Sequence, residues 1–313
     1  MLVADIGGTT TRFGLVYPDG QLRAVSVTVD DRSATLEDAI GRYLRERQVQ
    51  PDAAVLAIAG AIDGDEIAVG NRSWRFRLSD LKAAFGLTMA RAINDLEAVA
   101  CAIVSRHDCD VRPLGATGRA RQGAKVVVGA GAGLGVAAML PSGGATWTVV
   151  ASEGGHISFG PTSREEDVLF ERMRDRYGRL SAAVLSGPGL ELLFLAIAPD
   201  DPPISADEIA RRAKAGDHKA RACIDAFVRL LGRFAGDVVL MFKATAGVYL
   251  SGGVAVGIGE LLDVAIFRAA YEAHPPHANL LAGIPSFLIT CREPGLLGCA
   301  ALAEQWFGKD RAI

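Results

Sequence analysis

The chain has little of what marks a secreted, membrane-embedded or nucleic-acid-binding protein. Aromatic residues make up only 6% of its 313 residues, and there are just five histidines and five cysteines. No stretch approaches the roughly 18–20 consecutive apolar residues that cross a bilayer, although half the residues are apolar and the mean hydropathy is +0.24. Neither charge predominates: 33 lysines and arginines stand against 36 aspartates and glutamates, a net charge of −3. No positive excess is available to hold a polyanion, so neither nucleic acid nor a membrane surface is an expected partner. Cys101, Cys109, Cys223, Cys291 and Cys299 form no C-x-x-C pair. A structural zinc site and a disulfide framework are therefore not indicated, and reduced cysteines in a cytoplasmic protein are expected. The opening Met1-Leu2-Val3-Ala4-Asp5 carries no basic leader, in keeping with that location.

What is present reads as an α/β chain long enough for two domains. Apolar strands are expected at residues 2–6, 12–17 and 22–29, the first two joined by Gly7-Gly8 as an antiparallel hairpin. A helix over 36–47 is opened by Thr35 and Asp38. A buried strand at 53–59 and a short helix at 78–85, opened by Ser79, follow. A strand at 89–93 then runs through Asn94-Asp95 into an apolar helix at 96–104. The polar stretch 107–122 marks the first domain crossing. Beyond it, strands at 125–128 and 136–140 flank the tract Gly129 to Gly135, repeating the opening design of strand, glycine turn and strand. The second half reads as mostly helical, with helices near 164–177, 190–197, 209–215, 218–243, 260–273 and 297–306. Strands are expected at 247–250 and 286–291.

Five motifs could carry chemistry. Asp5-Ile6-Gly7-Gly8-Thr9-Thr10 offers backbone amides and hydroxyls to a phosphate. An aspartate at that strand end repels phosphate unless a cation lies between, which points to a magnesium-bound nucleotide. Gly131-Ala132-Gly133 lies in a second glycine turn that lacks the lysine of a P-loop. Asn94-Asp95 sits where a strand meets a helix: either residue can cap the helix, and an ionised Asp95 can also orient an attacking hydroxyl. Glu153-Gly154-Gly155-His156 puts a carboxylate and an imidazole on one tight turn, a pairing suited to adjacent sugar hydroxyls. Ser251-Gly252-Gly253 would let an adenine or ribose lie against backbone.

Together with Asn71-Arg72-Ser73-Trp74, Leu185-Ser186-Gly187-Pro188-Gly189 and Pro294-Gly295-Leu296-Leu297-Gly298, these segments resemble the bacterial glucokinase family, in order and over nearly the whole chain. The resemblance implies a two-domain actin-like ATPase (ribonuclease H-like) fold with a central cleft. The domains would be residues 1–106 plus 294–313, because the Pro294 segment leads the chain back, and residues 107–293. It implies ATP-dependent conversion of glucose to glucose 6-phosphate, with ATP and magnesium as cofactors and a homodimer as the assembly. Asp95 matches the family's catalytic base; Asn94, Glu153 and His156 match its glucose-binding positions, and Asn71 borders the sugar pocket. Asp5, Ile6, Gly7, Gly8, Thr9 and Thr10, with Gly131, Ala132, Gly133, Gly252 and Gly253, would bind nucleotide, Asp5 reaching magnesium through water.

Three departures leave alternatives open. Ala182 stands where the family usually has a second sugar-binding glutamate, Ala132 where it has a threonine, and Thr10 where it has an asparagine. A lost hydrogen bond to a charged group is worth roughly 1.5–3 kcal/mol. A kinase for another hexose and a sugar-binding sensor without turnover therefore remain beside glucose phosphorylation.

Overall fold

The structure is a computed structural model that describes residues 1–29, 33–70, 72–105, 109–115, 122–144 and 146–307. The chain divides into two compact units, Met1–Cys109 with Cys291–Ile313, and Asp110–Thr290. Among the described residues no helix is long and apolar enough to cross a membrane.

In the first unit, β1 (Leu2–Ile6) and β2 (Thr10–Val16) form an antiparallel hairpin with Asp5 opposite Arg12. β3 (Leu22–Val29) adds to its outer edge, and its alternating exposure fits a strand with one face in water. β4 (Ala53–Ile58) is buried along its whole length and pairs with β1 in parallel. The short strands β5 (Gly60–Asp63), β6 (Glu66–Val69) and β7 (Arg75–Arg77) make a separate antiparallel sheet. β8 (Met89–Asn94) completes the main sheet in the order β3-β2-β1-β4-β8. Thr35 Oγ1 accepts from the Asp38 N–H at 3.1 Å and so opens the helix Leu36–Arg47 as its sequence implies.

The second unit repeats that order. β9 (Val111–Pro113), β10 (Lys125–Ala130), β11 (Leu134–Pro141), β12 (Trp147–Ser152), β13 (Val248–Ser251) and β14 (Ser286–Ile289) form one sheet, β12-β11-β10-β13-β14-β9. Again an antiparallel three-strand meander is continued by parallel strands, here β10, β13 and β14. The core of this unit forms around the helix His218–Phe242, which buries Phe227, Leu231 and Phe234 completely.

Several expectations need correcting. The sheet β5-β6-β7 and the strand β12 were not anticipated: three of the strands are three or four residues long, and β12 has no buried residue to mark a face. Ser79 does not open the helix Leu78–Ala84, because its hydroxyl and N–H bind the Asp65 carboxylate at 2.7 and 2.8 Å. The helix expected from 260 begins at Val264, where Asp263 Oδ1 accepts from Ala265 and Ile266. The last helix begins early, at Pro294, a residue pre-set for a helix start. The cysteines are not all reduced: Cys109 and Cys291 are joined, with their Cα atoms 5.0 Å apart, while Cys101, Cys223 and Cys299 are free and buried.

Candidate active site

The first unit gathers charge around one turn. The Gly7 N–H donates to the Thr10 carbonyl oxygen at 2.9 Å and closes the hairpin, leaving Thr9 exposed beyond the buried Ile6. Arg12 Nη1 lies 3.4 Å from Asp5 Oδ2, and Arg12 Nε meets the Glu293 carboxylate. The side chain of Asp5 is only 15% exposed. Burial pushes its carboxyl from the ordinary 3.8 up to about 6; Arg12 pulls it back, and the charges of Asp95 and Glu293 raise it further. The helix Pro294–Phe307 starts against this carboxylate, because a Cβ on Gly295 would fall 2.6 Å from Asp5 Oδ2.

Asn94 and Asp95 sit at the end of β8. Asn94 Oδ1 accepts from the Leu96 and Glu97 N–H groups at 2.9 and 3.4 Å, so Asn94 is the cap of the helix Asp95–Val104. Asp95 is the first helical residue, partly buried, and its Oδ1 also accepts from Leu96 N–H at 2.9 Å. Asn71 lies outside the described residues.

In the second unit the site residues are backbone more than side chain. The turn Gly131-Ala132-Gly133 is closed by Gly131 N–H donating to Gly133 O, and Gly131 O accepts from Gly187 N–H, both at 2.8 Å. Gly252 has φ +94, and a Cβ there would come 2.3 Å from Ala130 O, so only glycine lets these two turns meet. Ala132 and Gly253 are exposed, with open space above Gly253. Glu153 and His156 stand on a short 3-10 turn held against β11, where a Cβ on Gly155 would fall 1.8 Å from Leu134 O. Their side chains are 86% and 68% exposed, with Glu153 Oε2 3.8 Å from His156 Nε2. Ala182, by contrast, is fully buried, and its N–H donates to Ile157 O at 2.9 Å.

The structure thus brings Asp5, the Gly7–Thr10 turn, Asn94 and Asp95 together in the first unit. Gly131, Ala132, Gly133, Gly252 and Gly253, with Glu153 and His156, belong to the second. Two residues of the first cluster were missed. Glu293 is remote from Arg12 in sequence and carried no signal; Arg72 lies within the Asn71-Arg72-Ser73-Trp74 segment, where a cation two residues before a tryptophan could have been noticed.

Two sheets of the same order, each with a glycine turn at the head of its hairpin, define an α/β kinase fold. A crystal structure of a glucokinase from an Antarctic psychrotroph superposes with a TM-score of 0.82 at 27% identity, covering 97% of this chain and 98% of that one. Residues 2–306 match the glucokinase family, to which this chain belongs. A protein named glucokinase from a Chelativorans species is 38% identical, covering 97% of this chain and 91% of that one. A protein named bifunctional protein glk from Burkholderia lata is 36% identical over 97% of this chain but only 48% of its own length. The chain therefore spans about half the length of such bifunctional relatives.

Proposed function

We propose that the chain is an ATP-dependent glucokinase that makes glucose 6-phosphate, with Asp95 orienting the attacking sugar hydroxyl and accepting its proton. The observation that carries this reading is the pair of carboxylates beside the glycine turn of the first hairpin. Asp5 is largely buried among like charges and gains from a nearby cation; Asp95 is held at a helix start, where negative charge is favoured. Phosphoryl transfer needs both, a metal-bound phosphate and an aimed hydroxyl. The Gly7–Thr10 turn would hold phosphate through its backbone, and the turns at Gly131–Gly133 and Gly252-Gly253 would take the rest of the nucleotide.

Magnesium keeps most of its waters and needs only one or two carboxylates beside phosphate oxygens. Among the described residues no group of three or more metal-ligating side chains occurs. A single carboxylate whose ionisation is opposed by its neighbours fits a water-mediated contact, and Asp5 supplies it. Bound there, magnesium would neutralise charge on the transferred phosphate. In the second unit, Glu153 would accept hydrogen bonds from two sugar hydroxyls while His156 fixes the sugar's orientation; Asn94 and Asn71 would complete the set. Actin-like domain architecture, action in the cytoplasm and assembly as a homodimer belong to the same proposal.

Purified chain, supplied with magnesium and ATP, is expected to release ADP with glucose faster than with mannose, fructose or glucosamine. No sugar-dependent ADP release from folded protein would overturn the reading. Ala182 favours one alternative, a kinase for another hexose. Its complete burial means that a glutamate placed there would have to leave water, so a faster rate with a second hexose in the same panel is the test of that alternative.

A further inference from the structure

Arg72, between β6 and β7, turns its side chain back onto the first hairpin. Its Nε donates to the Gly8 carbonyl oxygen at 3.1 Å. The guanidinium lies over the Trp74 ring, 4.5 Å from its centroid. Trp74 is itself fixed, being 4% exposed and donating from Nε1 to Ser33 O at 3.0 Å. The cation is therefore held on a rigid aromatic platform with a second anchor, and little side-chain freedom is left to lose when a ligand arrives.

One part of the group is unsatisfied. Arg72 Nη2 is buried and, among the described residues, has no hydrogen-bond partner. A buried donor left unpaired is costly, and more so when it belongs to a charged group such as a guanidinium. The neighbouring Arg12 differs, because Asp5 and Glu293 already match its charge. An anionic oxygen at the Gly7–Thr10 turn would supply what Arg72 lacks. The terminal phosphate of a nucleoside triphosphate carries such oxygens, and the planar fork of the guanidinium suits them.

We propose that Arg72 is a further catalytic residue, its Nη2 donating to an equatorial oxygen of the phosphoryl group in flight. This rests on the sugar-kinase reading. The bond from phosphorus to the ADP oxygen breaks and the bond to the sugar oxygen forms. The hydroxyl proton passes to Asp95, while Arg72 keeps its own protons throughout. In a loose transition state charge spreads over the equatorial oxygens, where a preorganised cation acts most strongly.

The test uses the full chain and the variants Arg72→Gln and Arg72→Lys. Removing such a cation is expected to lower kcat by roughly 100- to 1000-fold, with Lys between Gln and wild type. Glucose affinity by calorimetry should stay within about twofold, while ATP binding weakens about tenfold and ADP binding barely changes. A merely structural clamp on the hairpin predicts full kcat and equal effects on ATP and ADP; either of these overturns the proposal. Wild type inert towards every sugar would remove the kinase reading, yet the ATP-over-ADP comparison would still report on Arg72. An active wild type matched in kcat by Arg72→Gln would remove the Arg72 proposal alone.

Discussion

In the first sheet the β1–β2 turn lies among the charged side chains Asp5, Arg12, Arg72 and Glu293, whereas in the second the β10–β11 turn packs against the backbone of Gly187 and Gly252. The strand order around the two turns is the same. One scaffold thus carries two differently built turns. Charge is suited to the reacting end of a nucleotide, where negative charge moves during the step. Uncharged amides are suited to the end that only has to be held. The difference also separates what a substitution should disturb: chemistry at the first turn, binding and folding at the second.

Asp95→Asn should give the largest effect and the cleanest break between the two. A drop of roughly 1000-fold in kcat, with nucleotide affinity almost unchanged, is expected from the loss of a positioned base. A variant that retained a tenth of wild-type kcat would dissolve the assignment. Gly252→Ala should do the opposite, weakening nucleotide binding and costing about 3 kcal/mol of stability in urea. The new methyl would face Ala130 O at a backbone φ of +94. Gly7→Ala is the matched probe in the first hairpin; its Cβ would lie 3.2 Å from Thr10 O at an ordinary φ, so only about 1 kcal/mol is expected. Equal costs at the two glycines would erase the contrast.

Asp5→Asn tests the charged turn through pH, in magnesium-free protein. Below pH 3.8 the carboxyl is neutral in both folded and unfolded chains; between there and about 6 only the unfolded chain has released the proton. Wild-type stability should therefore fall as pH rises through that window, by on the order of 3 kcal/mol. Asp5→Asn should be more stable than wild type at pH 8 and no different below about pH 3.8. A pH-independent difference would show that burial does not set this carboxyl. The smallest effect is expected from Glu293→Gln, which removes one of the two carboxylates beside Arg12 and should cost about 1 kcal/mol or less.

Much of the fold was legible because its elements are long or strongly patterned. The apolar runs of β1 and β4, the capped helix Leu36–Arg47 and the charged helix Arg164–Tyr177 all stand where local pattern puts them. The repeated hairpin design appears as two sheets of matching order. The short strands β5, β6 and β7 were invisible, since their brief alternation does not rise above composition, whereas the equally short β13 and β14 showed as apolar runs. Asn94 and Asp95 were legible as a cap and a carboxylate at one helix start. The links of Arg12 to Glu293, of Arg72 to Gly8 and of Cys109 to Cys291 were not, because each joins residues far apart in sequence that only the folded chain brings together.

The helix Pro294–Phe307 gives the first unit a peculiar timetable. Gly295 lies against Asp5, and a Cβ on Gly298 would fall 1.7 Å from Ala98 O, so this helix fits tightly among elements translated much earlier. At about 5–20 residues per second, Asp5 leaves the ribosome tens of seconds before Glu293 and Gly295. During that wait the intervening unit can collapse on its own, while the nascent hairpin stays without the segment that seals it. A ribosome stalled anywhere in the second unit would therefore hold a chain whose first unit is unfinished, however complete its start.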